Sequence, residues 1–566
     1  MTPAPQASFP DIATTRPVER SKSIKGLLTL AFLLFCVLWF GNLEYRDLVD
    51  PDEGRYAEIP REMVVSGDWV TPRLNDLKYF EKPPLQYWAT AALYSVFGID
   101  EWVARLWPAL AGMLGLLITS VAARRLYGSA VGVAAPFVLG GMLLFAIFAR
   151  ILTLDMTVTL FLALTIFAFV IAQDDGSTTG QRRRWMLVGW AAIAGAVLSK
   201  GLIGIVLPAG TVAAYVILHR DWSMLRRLHA GTGLALFAAL TVPWFVAVAA
   251  RNPEFNQFFF WHEHVERFLR PEHHRPGTWW YFLGIGAAGT LPWTGALFAR
   301  GLLKTDSGRR FHPTRLLVLW CVLVTAFFSA SSSKLPGYIL PIFPALAVLI
   351  ALNALRMPSR ALAVVLGSLV PLAVAAAFWV PAVARLKNMP GFSEYYAALL
   401  PWMEVTCVVL AIGLASGALL AWRRRPLAAI VVASAASLVA VTVAMTGDQK
   451  MSPVYSAEQS VGQLLAQLPR ARLQAPFYSV RTFEPSLAFA LERPVTLVDY
   501  RGELGLGLDA EPHKGIPTLE AFKSAWNSSS DAFAVMRHET YDELARDGLP
   551  MVVLVRDPRR VFVGRH

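Results

Sequence analysis

Long apolar runs separated by short polar loops recur along the chain from residue 26 to residue 446 and then stop. A hydrocarbon core of about 30 Å takes roughly 20 apolar residues per helix, and runs of that kind predict about thirteen spans. They fall near 26–42, 102–123, 131–149, 156–173, 185–199, 201–218, 231–250, 278–299, 315–330, 336–354, 361–383, 397–421 and 427–446. The shorter stretch at 85–97 follows two prolines and is placed as an interfacial helix inside a long outer loop, 43–101. A second outer loop is expected at 251–277. Past residue 446 the pattern becomes that of a soluble domain. Helices are predicted over 457–468, 519–526 and 541–547, and β-rich runs at 476–480, 495–498, 532–535 and 551–555, which together suggest a small α/β domain. The expected architecture is a polytopic α-helical membrane protein with a leader (1–25), a transmembrane domain (26–446) and a C-terminal α/β domain (447–566).

Composition agrees: 55% of the 566 residues are hydrophobic and 16% charged, which excludes an ordinary soluble protein. The formal net charge of +12 would suggest nucleic acid in a soluble chain. Here the basic residues fall mainly in short loops, where they set membrane orientation, and no nucleic-acid partner is expected. Arginine clusters at 124–125, 182–184, 226–227, 309–310 and 423–425 occupy alternate loops, predicting a cytoplasmic N-terminus and an outer C-terminal domain. Counting 85–97 as a span would break that alternation. Cys36, Cys321 and Cys407 all lie in or beside apolar segments and read as small core residues rather than as a disulfide or thiolate framework. The first run lacks a small-residue cleavage site and is read as a retained anchor. No internal repeat, P-loop or dinucleotide fingerprint is present.

Candidate chemistry concentrates on the outer side. The sequence Asp50-Pro51-Asp52-Glu53-Gly54-Arg55-Tyr56 crowds charge directly after the first span. Its plainer reading is a solvated loop with Asp52 capping a helix. Glu81 and Lys82, before Pro83 and Pro84, are held at headgroup depth. A lysine there often only snorkels. Arg55, Lys82, Lys200, Arg267 and Lys334 all fall on the outer side, against the orientation bias, where cations meet lipid phosphates. Asp155 is a boundary carboxylate, costly and therefore a functional candidate, with an ion pair to Arg150 or Lys200 as the alternative. His262 and Glu266 share one helical face in the second loop and, with Glu81, offer N and O ligands to a divalent metal. That signal is weak, and no cofactor is required. Lys334 and Tyr338, four apart in a stretch broken by Pro336 and Pro341, are expected to face a ligand together.

Asp52-Glu53-Gly54-Arg55-Tyr56, Glu81-Lys82-Pro83-Pro84-Leu85, Leu154-Asp155 and Ser333-Lys334-Leu335-Pro336-Gly337-Tyr338 resemble the bacterial 4-amino-4-deoxy-L-arabinose (aminoarabinose) lipid A transferases. These belong with the protein mannosyltransferase-like membrane glycosyltransferases of the GT-C fold. The resemblance covers nearly the whole chain. It implies a bacterial inner-membrane enzyme that takes aminoarabinose from undecaprenyl phosphate and attaches it to lipid A phosphates on the periplasmic face, giving polymyxin and cationic peptide resistance. By position, Asp52 and Asp155 match the family's two loop carboxylates. Arg55, Lys82 and Arg267 suit the lipid phosphate, and Tyr56, Tyr79, Lys200, Lys334 and Tyr338 complete the expected substrate-binding set. The partners implied are the polyprenyl-linked donor, lipid A and membrane lipids.

A phosphate leaving group needs cations more than a general acid. A phosphate monoester acceptor, with a second pKa near 6, is largely ionised at neutral pH and needs no general base. Asp52 and Asp155 are therefore expected to orient the sugar, balance oxocarbenium-like charge or pair with its ammonium group. A relative that glycosylates a protein or another glycan is the leading enzyme alternative. A lipid or solute transporter is the non-enzyme alternative, disfavoured by charges on one face and no repeat symmetry.

Overall fold

The computed structural model describes residues 33–266, 277–298, 306, 308–386, 393–468, 472 and 474–565, without the side chains of 262–266 and 381–386. It divides into two units, Met1–Gly41 and Asn42–His566. The described part of the first unit is a helical turn region over 33–40 in which Phe35 and Trp39 stack at 5.6 Å. Everything that follows concerns the second unit.

Among the described residues eight helical segments are long and apolar enough to cross a membrane: Glu101–Tyr127, Leu154–Gln173, Ala230–Arg251, Pro313–Ala330, Pro336–Arg356, Ser359–Val380, Ser393–Trp422 and Pro426–Tyr455. Of the remaining five expected spans, 26–42 is described only from residue 33, where 33–40 is helical. The others fall on shorter, broken or more polar helices: Ser129–Gly140 with Leu143–Phe148, Thr179–Lys200, Ile203–His219, and Tyr281–Gly289 followed by a 3-10 turn, Thr294–Phe298. The chain is a multi-span helical membrane protein of the expected class, with eight candidate spans by length and composition among the described residues.

One helical hairpin sets up the site. Leu154–Gln173 and Thr179–Lys200 run about 30 Å each at 1.5 Å per residue and pack side by side, joined by a short loop in which Thr178 and Gln181 form a capping box. An antiparallel pair of this kind puts the first turn of one helix beside the last turn of the other. Asp155 lies in that first turn and Lys200 in that last turn, each charge matched to its helix dipole.

The expected outer loop is largely structured. Asp52–Ser66 is a helix, as the capping reading of Asp52 implies, but Asp52 stands in its first turn and Pro51 takes the cap position. The signal was present: Asp52 and Glu53 stand in the first turn, Tyr56, Ile59 and Met63 repeat at helical spacing, and Gly67 closes the helix at φ +72°. A hairpin of β1 (Arg73–Leu74) and β2 (Leu77–Lys78) turns at Asn75 and Asp76, both at positive φ, and leads past Pro84 into the predicted helix Leu85–Phe97.

The C-terminal region forms a six-stranded sheet of β3 (Phe477–Val480), β4 (Thr496–Val498), β5 (Gly515–Ile516), β6 (Ala532–Arg537), β7 (Val552–Arg556) and β8 (Arg560–Arg565). The order is β5-β4-β3-β6-β8-β7, parallel through the first four and antiparallel at β8 and β7. Alternation assigns the faces. Tyr478, Ala534 and Met536 pack with Phe522 and Trp526 of the helix Leu519–Ser528. Phe477, Phe533 and Val535 point the other way, into one continuous core with Tyr56, Met63, Leu74 and Tyr87 of the outer segment. Asn75 ties the two further, exchanging hydrogen bonds of 2.8 and 2.7 Å with the backbone of Val495.

Candidate functional site

A cavity of about 570 Å³ opens where the outer helix, the hairpin end and the sheet meet. The helix Asp52–Ser66 contributes Asp52, Arg55 and Tyr56, and the turn before Leu85–Phe97 contributes Glu81 and Lys82. The hairpin contributes Thr153, Leu154, Asp155 and Lys200, and the 3-10 turn Pro336–Ile342 brings Tyr338. The C-terminal region adds Phe483 after β3 and Tyr500, Gly502, Glu503 and Leu506 after β4. Loops beyond the carboxyl ends of parallel strands are where open α/β sheets bind ligands.

Asp155 Oδ1 accepts a 2.5 Å charge-assisted bond from Lys200 Nζ, which lies 4.7 Å from the centre of the Tyr338 ring. The approach depends on Gly337: a Cβ there would stand 2.5 Å from Asp155 Oδ2. On the facing helix, Arg55 bonds Asp52 at 3.1 Å and Glu503 through its other terminal nitrogen. Its guanidinium stands 5.9 Å from the rings of both Tyr56 and Tyr79. Burial raises the Glu503 carboxyl above its usual range, and the Arg55 guanidinium offsets part of that. Lys82 Nζ donates to the Glu81 carbonyl at 2.8 Å and stands 3.9 Å from its carboxylate.

Between the two aspartates runs a scaffold centred on Glu53, which is 1% exposed. Its carboxylate accepts from Arg46 at 2.9 Å, from Arg105 at 3.0 Å and from the backbone N–H groups of Val49 and Leu152 at 3.1 and 2.9 Å. It thus fixes the start of the Asp52 helix, the start of Glu101–Tyr127 and the loop three residues before Asp155. Asp50, one turn earlier, accepts from the backbone N–H of Ser486 at 2.9 Å, docking the same helix onto Pro485–Leu491. Gly54 allows that contact, since a Cβ would meet Ser486 N at 2.5 Å.

Of the expected site residues, Asp52, Arg55, Tyr56, Glu81, Lys82, Asp155, Lys200 and Tyr338 therefore share one cavity. The ion pair weighed for Asp155 forms with Lys200. Tyr79 lies behind Arg55, 2% exposed, and its hydroxyl has no partner among the described residues. Lys334 does not join Tyr338. Residues 331–335 are not helical, so the four-residue spacing gives no common face. Its ammonium instead caps the helix Pro313–Ala330 through the carbonyls of Ser329 and Ser331 at 2.8 and 3.0 Å. Arg267 and the His262 side chain lie outside the described residues, so the expected phosphate and metal ligands of the second loop have no geometry here. Among the described residues the carboxylates close enough to share an ion are Asp47, Glu101 and Glu458. Asp47 is already bonded by Gln449 and Gln459. The sequence reading missed Glu53, Glu503 and Tyr500. Glu53 stood inside the quoted motif; the other two carry no local signal, because only the sheet brings them to the cavity.

Residues 24–259 match the family model of the dolichyl-phosphate-mannose-protein mannosyltransferases, and residues 464–565 match the aminoarabinose transferase C-terminal domain. An undecaprenyl phosphate-alpha-4-amino-4-deoxy-L-arabinose arabinosyl transferase of Pseudomonas aeruginosa is 34% identical over 523 residues, 89% of this chain and 91% of its own length. One from Aeromonas salmonicida is 36% identical over 338 residues, covering 59% of this chain and 61% of its own. The crystal structure of ArnT from Cupriavidus metallidurans bound to undecaprenyl phosphate superposes with a TM-score of 0.90 at 37% identity, covering 95% of this chain and 98% of that one.

Proposed function

The chain belongs to the undecaprenyl phosphate-aminoarabinose arabinosyl transferases, and from that premise we infer that it transfers 4-amino-4-deoxy-L-arabinose from undecaprenyl phosphate to lipid A phosphate. It is a multi-span protein of the bacterial inner membrane. The arginine clusters support a cytoplasmic N-terminus and a periplasmic C-terminal domain. The core shared by the outer segment and residues 457–562 supports treating 447–566 as a periplasmic domain built onto the transmembrane part, 26–446, behind the leader, 1–25.

The observation that carries the reaction is the meeting of Asp52 and Asp155 with Arg55, Lys82 and Lys200 in one cavity, drawn from four distant segments. The carrier phosphate is an anionic leaving group, so catalysis needs donors where its charge develops. Lys82, beside Glu81, supplies one, and the sequence position of Arg267, which lies outside the described residues, supports it as another. Among the described lining residues four carboxyls, Asp52, Glu81, Asp155 and Glu503, accompany three cations. Asp52 and Asp155 among them offer carboxylate partners to a sugar bearing an ammonium group. With a phosphate acceptor already ionised at neutral pH, no lining residue has to remove a proton. Asp155, fixed by Lys200, then orients the sugar and balances positive charge developing at its anomeric carbon, while Asp52, fixed by Arg55, holds the opposite side.

Mass spectrometry of lipid A tests the whole reading. In a strain lacking this gene the pentosamine-bearing species is absent, and restoring the gene brings it back together with polymyxin resistance. Unmodified lipid A in both strains would sink the reading. A second expectation isolates Lys82. Lys82→Ala weakens binding of undecaprenyl phosphate by about tenfold, the order of one lost charge-assisted contact, with the circular dichroism spectrum unchanged. Affinity equal to wild type would remove Lys82 from the phosphate site.

A further inference from the structure

A second cavity, of about 260 Å³, lies in the C-terminal region and shares no lining residue with the first. Its walls are apolar: Leu465 and Leu468 at the end of the helix Glu458–Gln467, Phe477 and Phe533 on the paired strands β3 and β6, and Leu491 at the end of Pro485–Leu491. Two charged residues, Glu492 and Arg493, interrupt them. Arg493 lines the cavity half-buried, its Cζ 6.0 Å from the centre of the Phe477 ring, and spends one donor on the Ala475 carbonyl at 3.0 Å. A guanidinium has five N–H donors.

What sets Arg493 apart is its lack of a counter-ion among the described residues. The neighbouring Arg472, 5.1 Å over the other wall ring, Phe533, bonds Asp531 through two nitrogens. Arg61, on the outer helix, is paired with Glu58 at 2.6 Å. No described carboxylate stands within ion-pair distance of Arg493, and burial accordingly lowers its pKa with nothing to offset it. A half-buried, uncompensated charge over an apolar hollow is costly unless an anion joins it.

We propose that this cavity binds the alkyl chain of a fatty carboxylate, with the carboxylate on Arg493. The volume limits the occupant. At about 30 Å³ per water-sized group, 260 Å³ holds roughly nine such groups, one chain of medium length rather than the several chains of a membrane lipid. The charge limits it too. A single guanidinium matches a planar monoanion in a two-point fork, whereas a phosphate dianion calls for more than one cation. Glu492, exposed to solvent, also lines the cavity and repels a dianion more strongly than a monoanion.

The test uses the full chain in lipid nanodiscs and radiolabelled decanoate, with protein-free nanodiscs as the baseline. Decanoate binds saturably at one per chain. Leu465→Trp, which fills the hollow, abolishes that binding, and Arg493→Gln weakens it about tenfold, while decyltrimethylammonium fails to compete in the wild type. Melting temperatures within a few degrees of wild type keep misfolding out of the comparison. No saturable binding above the baseline, or the same affinity in both variants, overturns the proposal. So does competition by the cationic chain equal to that of unlabelled decanoate, which would make the hollow a nonspecific apolar surface.

Discussion

Asp155→Asn lowers the rate of aminoarabinose transfer by about a hundred- to a thousandfold, the range found when one preorganised electrostatic group is removed from a reacting centre. The substitution keeps the shape of the side chain and its place in the first turn of its helix. What is lost is charge. The carboxylate is 14% exposed and its partner Lys200 16%, so the pair interacts in a setting poorly screened by water. Neutralising Asp155 leaves Lys200 as an uncompensated cation beneath Tyr338, at the place where positive charge develops on the sugar. The pair therefore behaves as one unit. Lys200→Met costs activity in the wild type but far less in the Asp155→Asn background, a non-additivity that a double-mutant cycle reads directly. Donor affinity, measured separately, moves much less than turnover, since Lys82 and Arg55 remain. Wild-type turnover in Asp155→Asn would take Asp155 out of the reaction, and strict additivity with Lys200→Met would dissolve the unit.

How much of this arrangement the sequence disclosed depends on the range of each contact. The spans were legible because membrane burial writes a long, one-dimensional signal. Leu154–Gln173 and Leu85–Phe97 came out within a few residues of expectation. Strands β3, β4, β6 and β7 were legible as short β-branched runs, but β5, two residues long, and β8, interrupted by Gly564, fell below that signal. The Asp155–Lys200 pair was one of the two partners, with Arg150, that the outer-side placement of these residues offered. Lys334 shows the opposite case. A spacing argument holds only if the intervening backbone is helical, and the chain from 331 to 335 is irregular, with helical turns resuming only at Pro336. Glu503 and Tyr500 reach the cavity through parallel strand pairing some 450 positions from Asp52, and no local pattern records such a pairing.

Glu53→Gln is expected to destabilise the protein by about 3 kcal/mol and to remove activity through loss of structure rather than of chemistry. Burial alone would raise the Glu53 carboxyl, but Arg105 and Arg46 outweigh it and take the pKa down from 4.5 to about 2. A folded-state pKa lowered by that much corresponds to roughly 3 kcal/mol that is present above about pH 4.5 and lost as pH falls toward 2. The amide introduced by Glu53→Gln keeps one acceptor oxygen and presents an N–H₂ group to donors, so at least one of Arg46, Arg105 and the Val49 and Leu152 amides is left facing a donor. Those contacts join the Asp52 helix, Glu101–Tyr127 and the loop before Asp155, so their loss lets the two aspartates drift apart without touching either. Two measurements separate this from a catalytic role. Thermal unfolding of Glu53→Gln in nanodiscs shows a lowered midpoint, and the stability gap to wild type closes as pH is lowered through the acid range, because the wild type loses the same carboxylate there. In contrast, Asp155→Asn keeps its transfer defect at temperatures well below its own unfolding midpoint, where the variant is fully folded. A Glu53→Gln variant as stable as wild type yet inactive would overturn the structural assignment and move Glu53 into the reaction itself.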